Sequence, residues 1–227
     1  MAVKGTDGNI RVYIGDISNV KGRQEAYEKY YNSLSGYRKA RADCMKQMSD
    51  KIRAVGAGVL LKMALEEYGL KENDLEYQFL ENGKPYIKDY PEISFSLAHS
   101  GERVMCVTAG FDIGCDVERV RERTGINRGI AKRFFTDSEN RILEEAISKS
   151  EKDFNELFYK IWTHKESYIK YTGEGLKCPM DSFSVIGEKD KEFVFKTIDI
   201  EPELYRYALC FDIRNKDRAV DIKKIEL

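Results

Sequence analysis

The chain has 227 residues, 42% hydrophobic and 34% charged, and its 38 Lys and Arg nearly balance 39 Asp and Glu. A body of that length buries a core without disulfides or structural metal, and the even charge balance points to neither disorder, nucleic acid nor an acidic membrane. Five scattered cysteines without a C-x-x-C pair, and only two histidines, His99 and His164, leave little from which to build a disulfide framework, a thiolate zinc site or a His-dependent triad.

The amino terminus, Met1 to Asp7, carries no apolar h-region, and no later apolar run approaches the ~20 residues of a membrane span, so a cytoplasmic, soluble protein is expected. Asn9 to Ile14 alternates, with Ile10, Val12 and Ile14 on one face, and reads as a strand. Gln24 to Leu34 and Tyr37 to Met48 read as charged helices. From a Ser49 cap, Ile52, Val55, Val59, Leu60 and Met63 recur at helical spacing, predicting an amphipathic, core-facing helix that ends near Gly69.

Leu75 to Leu80 and Pro85 to Ile87 flank Asn82-Gly83, a hairpin turn, and strands are expected over Ile93 to Leu97, Arg103 to Ala109 and Phe111 to Glu118. Helices follow over Ile126 to Phe135, Ser138 to Ser148 and Phe154 to Tyr171, with Thr136-x-x-Glu139 forming a capping box. Strands return at Ser182 to Ile186, Phe193 to Ile198, Tyr205 to Ile213 and Ala219 to Ile225. The order strand, helices, strands, given twice, predicts an α+β fold of two halves, residues 1–111 and 112–227, packed with a ligand cleft between them.

Two segments carry chemistry. In Ile113-Gly114-Cys115-Asp116-Val117-Glu118, strand alternation puts Asp116 and Glu118 side by side on one face, a candidate ligand pair for a hard divalent ion, with Gly114 leaving room for a ligand near the backbone. Taken alone, the same hexapeptide also suits a solvated strand face. In Trp162-Thr163-His164-Lys165-Glu166-Ser167-Tyr168-Ile169-Lys170, a four-residue spacing lines Trp162, Glu166 and Lys170 along one helix face, which alone is also an ordinary Glu-to-Lys pair beside a core tryptophan.

Together, Gly-x-Asp-x-Glu on a strand and Trp-x-x-Lys-Glu-Ser-x-x-Lys on a later helix resemble the signature of the 4′-phosphopantetheinyl transferase superfamily. The resemblance covers nearly the whole chain, at the level of the larger, Sfp-like members built of two similar halves. It includes Gly83-Lys84-Pro85, the segment ending His99-Ser100-Gly101, Arg133-Phe134-Phe135 and Pro179 to Ser184. Departures are Cys115 for an aliphatic residue, Thr163 after the tryptophan, and Ala98 where a serine would offer the ligand a hydroxyl.

The resemblance implies transfer of the 4′-phosphopantetheine of coenzyme A to a serine of an apo acyl or peptidyl carrier protein, releasing 3′,5′-ADP. It implies Mg²⁺ held by Asp116, Glu118 and Glu166, with Glu166 also the base, and Lys170 against the pyrophosphate. Arg38, Arg41, Arg53, Lys84 and His99 are implied to bind coenzyme A phosphates, in a monomer whose first half takes the nucleotide. Lys165, off the Trp-Glu-Lys face, is expected in solvent or on a second phosphate, and His164 outside the chemistry. A coenzyme A-binding module without activity and another magnesium-dependent phosphoester enzyme are the alternatives; intact Asp116, Glu118, Glu166 and Lys170 argue against the former.

Overall fold

The computed structural model describes residues 8–187 and 192–227. The reading of the amino terminus, residues 1–7, lies outside them. The chain runs β1 (Ile10–Asp16), α1 (Gln24–Asn32), α2 (Gly36–Asp43), α3 (Met48–Glu67), β2 (Tyr77–Phe79), β3 (Pro85–Ile87), β4 (Ser94–Ser100) and β5 (Arg103–Ala109). It continues with β6 (Ile113–Arg119), α4 (Thr124–Phe134), α5 (Asp137–Ile147), α6 (Glu151–Thr172), β7 (Phe193–Ile198), β8 (Tyr205–Asp212) and β9 (Val220–Glu226). This is a mixed α+β fold, as the sequence pattern predicts.

Four strands form one sheet in the order β4-β5-β1-β9, and β6-β8-β7 form a second, antiparallel one. The carboxy-terminal β9 returns to pair in parallel with β1, so the last residues complete the sheet that the first ones begin. Alternation along β1 serves two cores. Tyr13 packs toward α3, with Leu60, Leu61 and Leu65, whereas Ile10, Val12 and Ile14 meet Val117, Tyr207 and Leu209 of the second sheet. The outer face of that sheet carries α6, whose Phe154, Phe158 and Ile161 join Ala131 of α4 and Leu143 of α5 in a third core.

Several sequence expectations are corrected. The helix predicted from Tyr37 to Met48 stops at Asp43, and α3 begins at Met48 with Gln47 at its N-cap and no side-chain cap bond, ahead of the expected Ser49. Helix α3 is buried around most of its circumference between Val55 and Leu61, wider than the predicted stripe, because α2 and the first sheet both pack on it. Ser182 to Ile186 is not a strand. Met180–Ser182 form a 3₁₀ turn, and the Phe183 carbonyl and Val185 amide are bonded to side chains rather than to a ladder. Helix α5 does open on the Thr136/Glu139 capping box, and α6 ends on Gly173 in the left-handed conformation.

Two contacts fix how α6 meets β6. A Cβ on Gly114 would lie 2.0 Å from the Ser167 carbonyl oxygen and 2.5 Å from the Tyr171 amide nitrogen, so strand and helix backbones touch at a spot where only glycine fits. The space at Gly114 is therefore filled by α6, not kept for a ligand. On the other side, serines at alternate positions of β4 accept from the β6 backbone: Ile113 N–H to Ser94 Oγ at 3.3 Å, Cys115 N–H to Ser96 Oγ at 3.0 Å and Arg119 N–H to Ser100 Oγ at 3.1 Å. Ala98 occupies the missing rung and is buried between the sheets with Val117, so a serine hydroxyl here would face β6 rather than a ligand.

Replacing Gly114 with alanine drives a methyl into backbone that has no room to yield. We expect a loss at or above the upper end of the ~1–3 kcal/mol typical of overpacking, read by urea unfolding. Gly110→Ala, where an added Cβ meets nothing within 4 Å, is the control; equal stability of the two variants would contradict the close-packing account.

Candidate active site

Strand β6 and helix α6 together bring Asp116, Glu118, Glu166 and Lys170 to one place. Asp116 is 5% exposed, and its Oδ1 accepts from Lys170 Nζ at 2.7 Å. The sequence pairs Lys170 with Glu166 along the helix, but the structure turns the ammonium to the strand. Asp116 Oδ2 is buried and has no hydrogen-bond partner. Glu118 Oε2 accepts from Ser100 Oγ at 2.7 Å, and the nearby Trp162 indole favours its charged form.

Proximity shows in the acidities. Burial raises the Glu118 carboxyl, and the charge of Asp116 adds to it. Glu166 is pushed up to about 7, first by burial, then by Asp116, with Glu118 adding and Lys170 opposing. Burial also raises Asp116 against the counter-pull of Lys170. For Lys170, burial disfavours the charged form, but Asp116, Cys115 and Glu166 together outweigh it and keep the ammonium protonated well above its ordinary range. Three carboxylates around one lysine leave an excess of negative charge and one buried oxygen unsatisfied. Among the described residues, no three His, Cys, Asp or Glu side chains are already gathered at metal-binding distance.

Two cavities meet at Ile169, Lys170 and Gly175. One, of about 350 Å³, is lined by Arg38, Arg41, Lys84 and Lys170 together with Tyr37 and Pro85. The other, of about 470 Å³, is mainly apolar and borders Glu166, with Phe134, Pro179 and Met180 in its wall. Arg38 is buried against the rings of Tyr37, Tyr77 and Phe95, and its Nε and Nη2 lack hydrogen-bond partners. Arg41 is exposed. Lys84 caps the end of α6, donating to the Tyr171 carbonyl at 2.9 Å beside Asn82, which donates to that of Thr172 at 2.8 Å.

Arg53 stands apart from that group: it pairs with Asp50 and lines a separate hollow of about 190 Å³ with Lys21, Arg119 and Arg121. His99, at the end of β4, keeps part of its ring in solvent. Partial desolvation, then the positive charges of Lys170 and Arg53, hold its imidazole below the ordinary 6.5.

A family model described as the 4′-phosphopantetheinyl transferase superfamily matches residues 112–222, the stretch that contains all four groups. The chain is 31% identical over 199 residues to 4′-phosphopantetheinyl transferase Sfp of Bacillus subtilis, covering 82% of this chain and 86% of that one. It is 30% identical over 201 residues to 4′-phosphopantetheinyl transferase gsp of Aneurinibacillus migulanus, covering 85% and 75%. The chain belongs to the 4′-phosphopantetheinyl transferase superfamily. No helix of this transferase, among the described residues, is long and apolar enough to cross a membrane.

The structure of the transferase corrects one expectation outright. Lys165 is neither in solvent nor free for a phosphate; it is fully buried and paired with Glu139 at 2.9 Å. His164 does lie away from the acids, against Phe195 and within 3.0 Å of Thr197 Oγ1. Sequence reasoning missed the role of Ser100, which orients Glu118 while also accepting from Arg119 N–H. The signal for it was the alternation of serines at 94, 96 and 100, facing a strand whose own partners were not yet known.

The weakened acidity of Glu166 has a thermodynamic consequence. Its folded value of about 7 lies above the 4.5 of the unfolded chain, so the folded state binds the proton more tightly. The corresponding stabilisation is full below the unfolded value and disappears as the pH rises through the folded one. We expect the unfolding free energy of the metal-free enzyme, measured in urea with chelator, to fall between pH 5 and 8, and Glu166→Gln to flatten that part of the slope. An unaltered slope in the variant would contradict the assignment.

Proposed function

We propose that this transferase moves the 4′-phosphopantetheine of coenzyme A onto the serine of an apo acyl or peptidyl carrier protein, releasing 3′,5′-ADP. The observation that carries the reading is the convergence of Asp116, Glu118, Glu166 and Lys170 beside a cavity rimmed with cations, in a chain of this family. We read the fold as two halves, residues 1–111 and 112–227, with β9 closing the first sheet and the ligand cleft formed where the two cavities meet.

In this reading the diphosphate lies over Lys170, whose charge is held by Asp116. Arg38 and Arg41 face the nucleotide, and Arg38, whose Nε stands 3.9 Å from Glu72 Oε1, keeps an Nη2 without a hydrogen bond that suits a phosphate oxygen, which planar guanidinium recognises well. His99, whose imidazole feels the charge of Lys170, is assigned to a coenzyme A phosphate from the end of β4, whereas Arg53 would take part only in a phosphate held at its own separate hollow. Lys84 contributes its charge from the α6 terminus, where it stays anchored by the Tyr171 carbonyl.

The donor set also suits Mg²⁺: the charge of Asp116 makes both Glu118 and Glu166 weaker acids, and a buried oxygen of Asp116 awaits a partner, the hard-oxygen chemistry that this ion prefers. Asp116, Glu118 and Glu166 would hold it, and when bound it would neutralise the diphosphate and steady the reacting phosphorus. Glu166, poised near neutrality, takes the proton of the carrier serine, directly or through a water. As the serine oxygen bonds to the β-phosphorus, the bond to the bridging oxygen breaks and 3′,5′-ADP carries that oxygen away, its charge met by Lys170. One chain supplies every group, so the enzyme acts as a monomer.

Incubation with coenzyme A, Mg²⁺ and an apo carrier protein should yield phosphopantetheine on the carrier and 3′,5′-ADP, both read by mass spectrometry. Asp116→Ala and Glu166→Ala should each reduce turnover by at least about 100-fold while circular dichroism stays native. Wild-type-like turnover in either variant, or free phosphate in place of 3′,5′-ADP, would overturn the proposal.

A further inference from the structure

Lys165 sits one residue before Glu166, yet the chemistry proposed above does not use it. Its ammonium has three partners and three N–H donors: Glu139 Oε2 at 2.9 Å, the Met180 carbonyl at 2.7 Å and the Phe183 carbonyl at 2.5 Å. It also lies over the Phe183 ring, 4.4 Å from the centroid. Glu139 is equally occupied, accepting from the Val185 amide at 2.9 Å and, through the capping box, from Thr136 N–H at 2.9 Å. Both side chains are completely buried.

Burying two charges is costly before their attraction is counted, and apolar residues of similar volume often replace such pairs without loss. Volume alone does not account for this pair. Residues 178–187 belong to no sheet, and what the ion pair adds is a set of three backbone anchors on that segment, two carbonyls through Lys165 and one amide through Glu139. An apolar substitute would leave those buried groups without partners, which costs stability.

The outer side of the same segment, Cys178 to Asp181, walls the apolar cavity beside Glu166. The geometry points to Lys165 and Glu139 as a positioning pair, which holds the 178–185 strap in place so that the part of the substrate reaching Glu166 meets a fixed wall. This rests on the proposed function for its consequence in turnover, though not for the strap itself. The cation-rimmed cavity lies across Ile169 and Lys170 and does not include residues 178–185, so nucleotide binding should be spared.

The test uses the full chain carrying Cys44→Ser, which removes the one exposed thiol among the described residues and leaves Cys178 among the buried ones. Lys165→Met keeps the length of the side chain and removes its donors. We expect N-ethylmaleimide to modify Cys178 at least about tenfold faster in this variant, by peptide mapping, as the strap opens locally. We expect kcat for carrier modification to fall about 10–100-fold, because the wall no longer holds the reacting group, while calorimetric affinity for coenzyme A stays within about threefold. Glu139→Gln, which keeps an acceptor for Val185, serves as the second variant should Lys165→Met not fold.

Unchanged Cys178 reactivity in a folded variant would overturn the strap. A parallel loss of kcat and coenzyme A affinity would reduce the pair to general stability. If the unmutated chain transfers nothing, the functional proposal fails while the thiol measurement still decides whether the pair holds the segment.

Discussion

The backbone contact between α6 and β6 at Gly114 is the constraint on which the site depends. Asp116 and Glu118 belong to a strand, Glu166 and Lys170 to a helix that follows it after two others, and no local preference links them. With a side chain at position 114, the helix would stand off and Lys170 Nζ would no longer reach Asp116 at 2.7 Å. The serine rungs from β4 hold the other side of β6, so the strand is clamped between a sheet and a helix. Its two carboxylates point into the remaining gap. Preorganisation of this kind lets charged groups act without reorganising during the reaction.

Clamping creates an electrostatic tension that the fold alone does not resolve. One lysine faces three acids, an oxygen of Asp116 is buried without a partner, and Glu166 answers by holding its proton to about pH 7. In a site with no task, that arrangement would be a plain loss of stability, since unpaired buried charge is among the more expensive features of a folded protein. Read as a seat for a cation and a diphosphate, the same excess of negative charge beside a cation-rimmed cavity becomes a pair of complementary halves.

Much of this was legible in the sequence. Alternation along β1 correctly separated Ile10, Val12 and Ile14 as one face, and the Thr136/Glu139 box marked the start of α5, because both are local rules that tertiary packing had no reason to override. The Gly-x-Asp-x-Glu and Trp-x-x-Lys-Glu spacings identified the side chains that the structure brings together. What sequence could not supply was the third dimension. Lys165 reads as a surface lysine until Glu139 and two carbonyls are seen around it. Ser182 to Ile186 has a strand's alternation, but its Phe183 carbonyl and Val185 amide go to that ion pair instead of to a neighbouring strand. Gly114 reads as space for a ligand, and only the helix lying across it shows what the space is for.

The central claim is that Glu166 joins Asp116 and Glu118 around one divalent cation, and a proton count tests it most directly. Titrating Mg²⁺ into the coenzyme A-bound protein near pH 6.5, by calorimetry in buffers of different ionisation heat, reports how many protons leave as the metal enters. The account predicts release of a substantial fraction of one proton, drawn from Glu166 and absent in Glu166→Gln. Metal binding with no proton release, or with the same release in the variant, would contradict it.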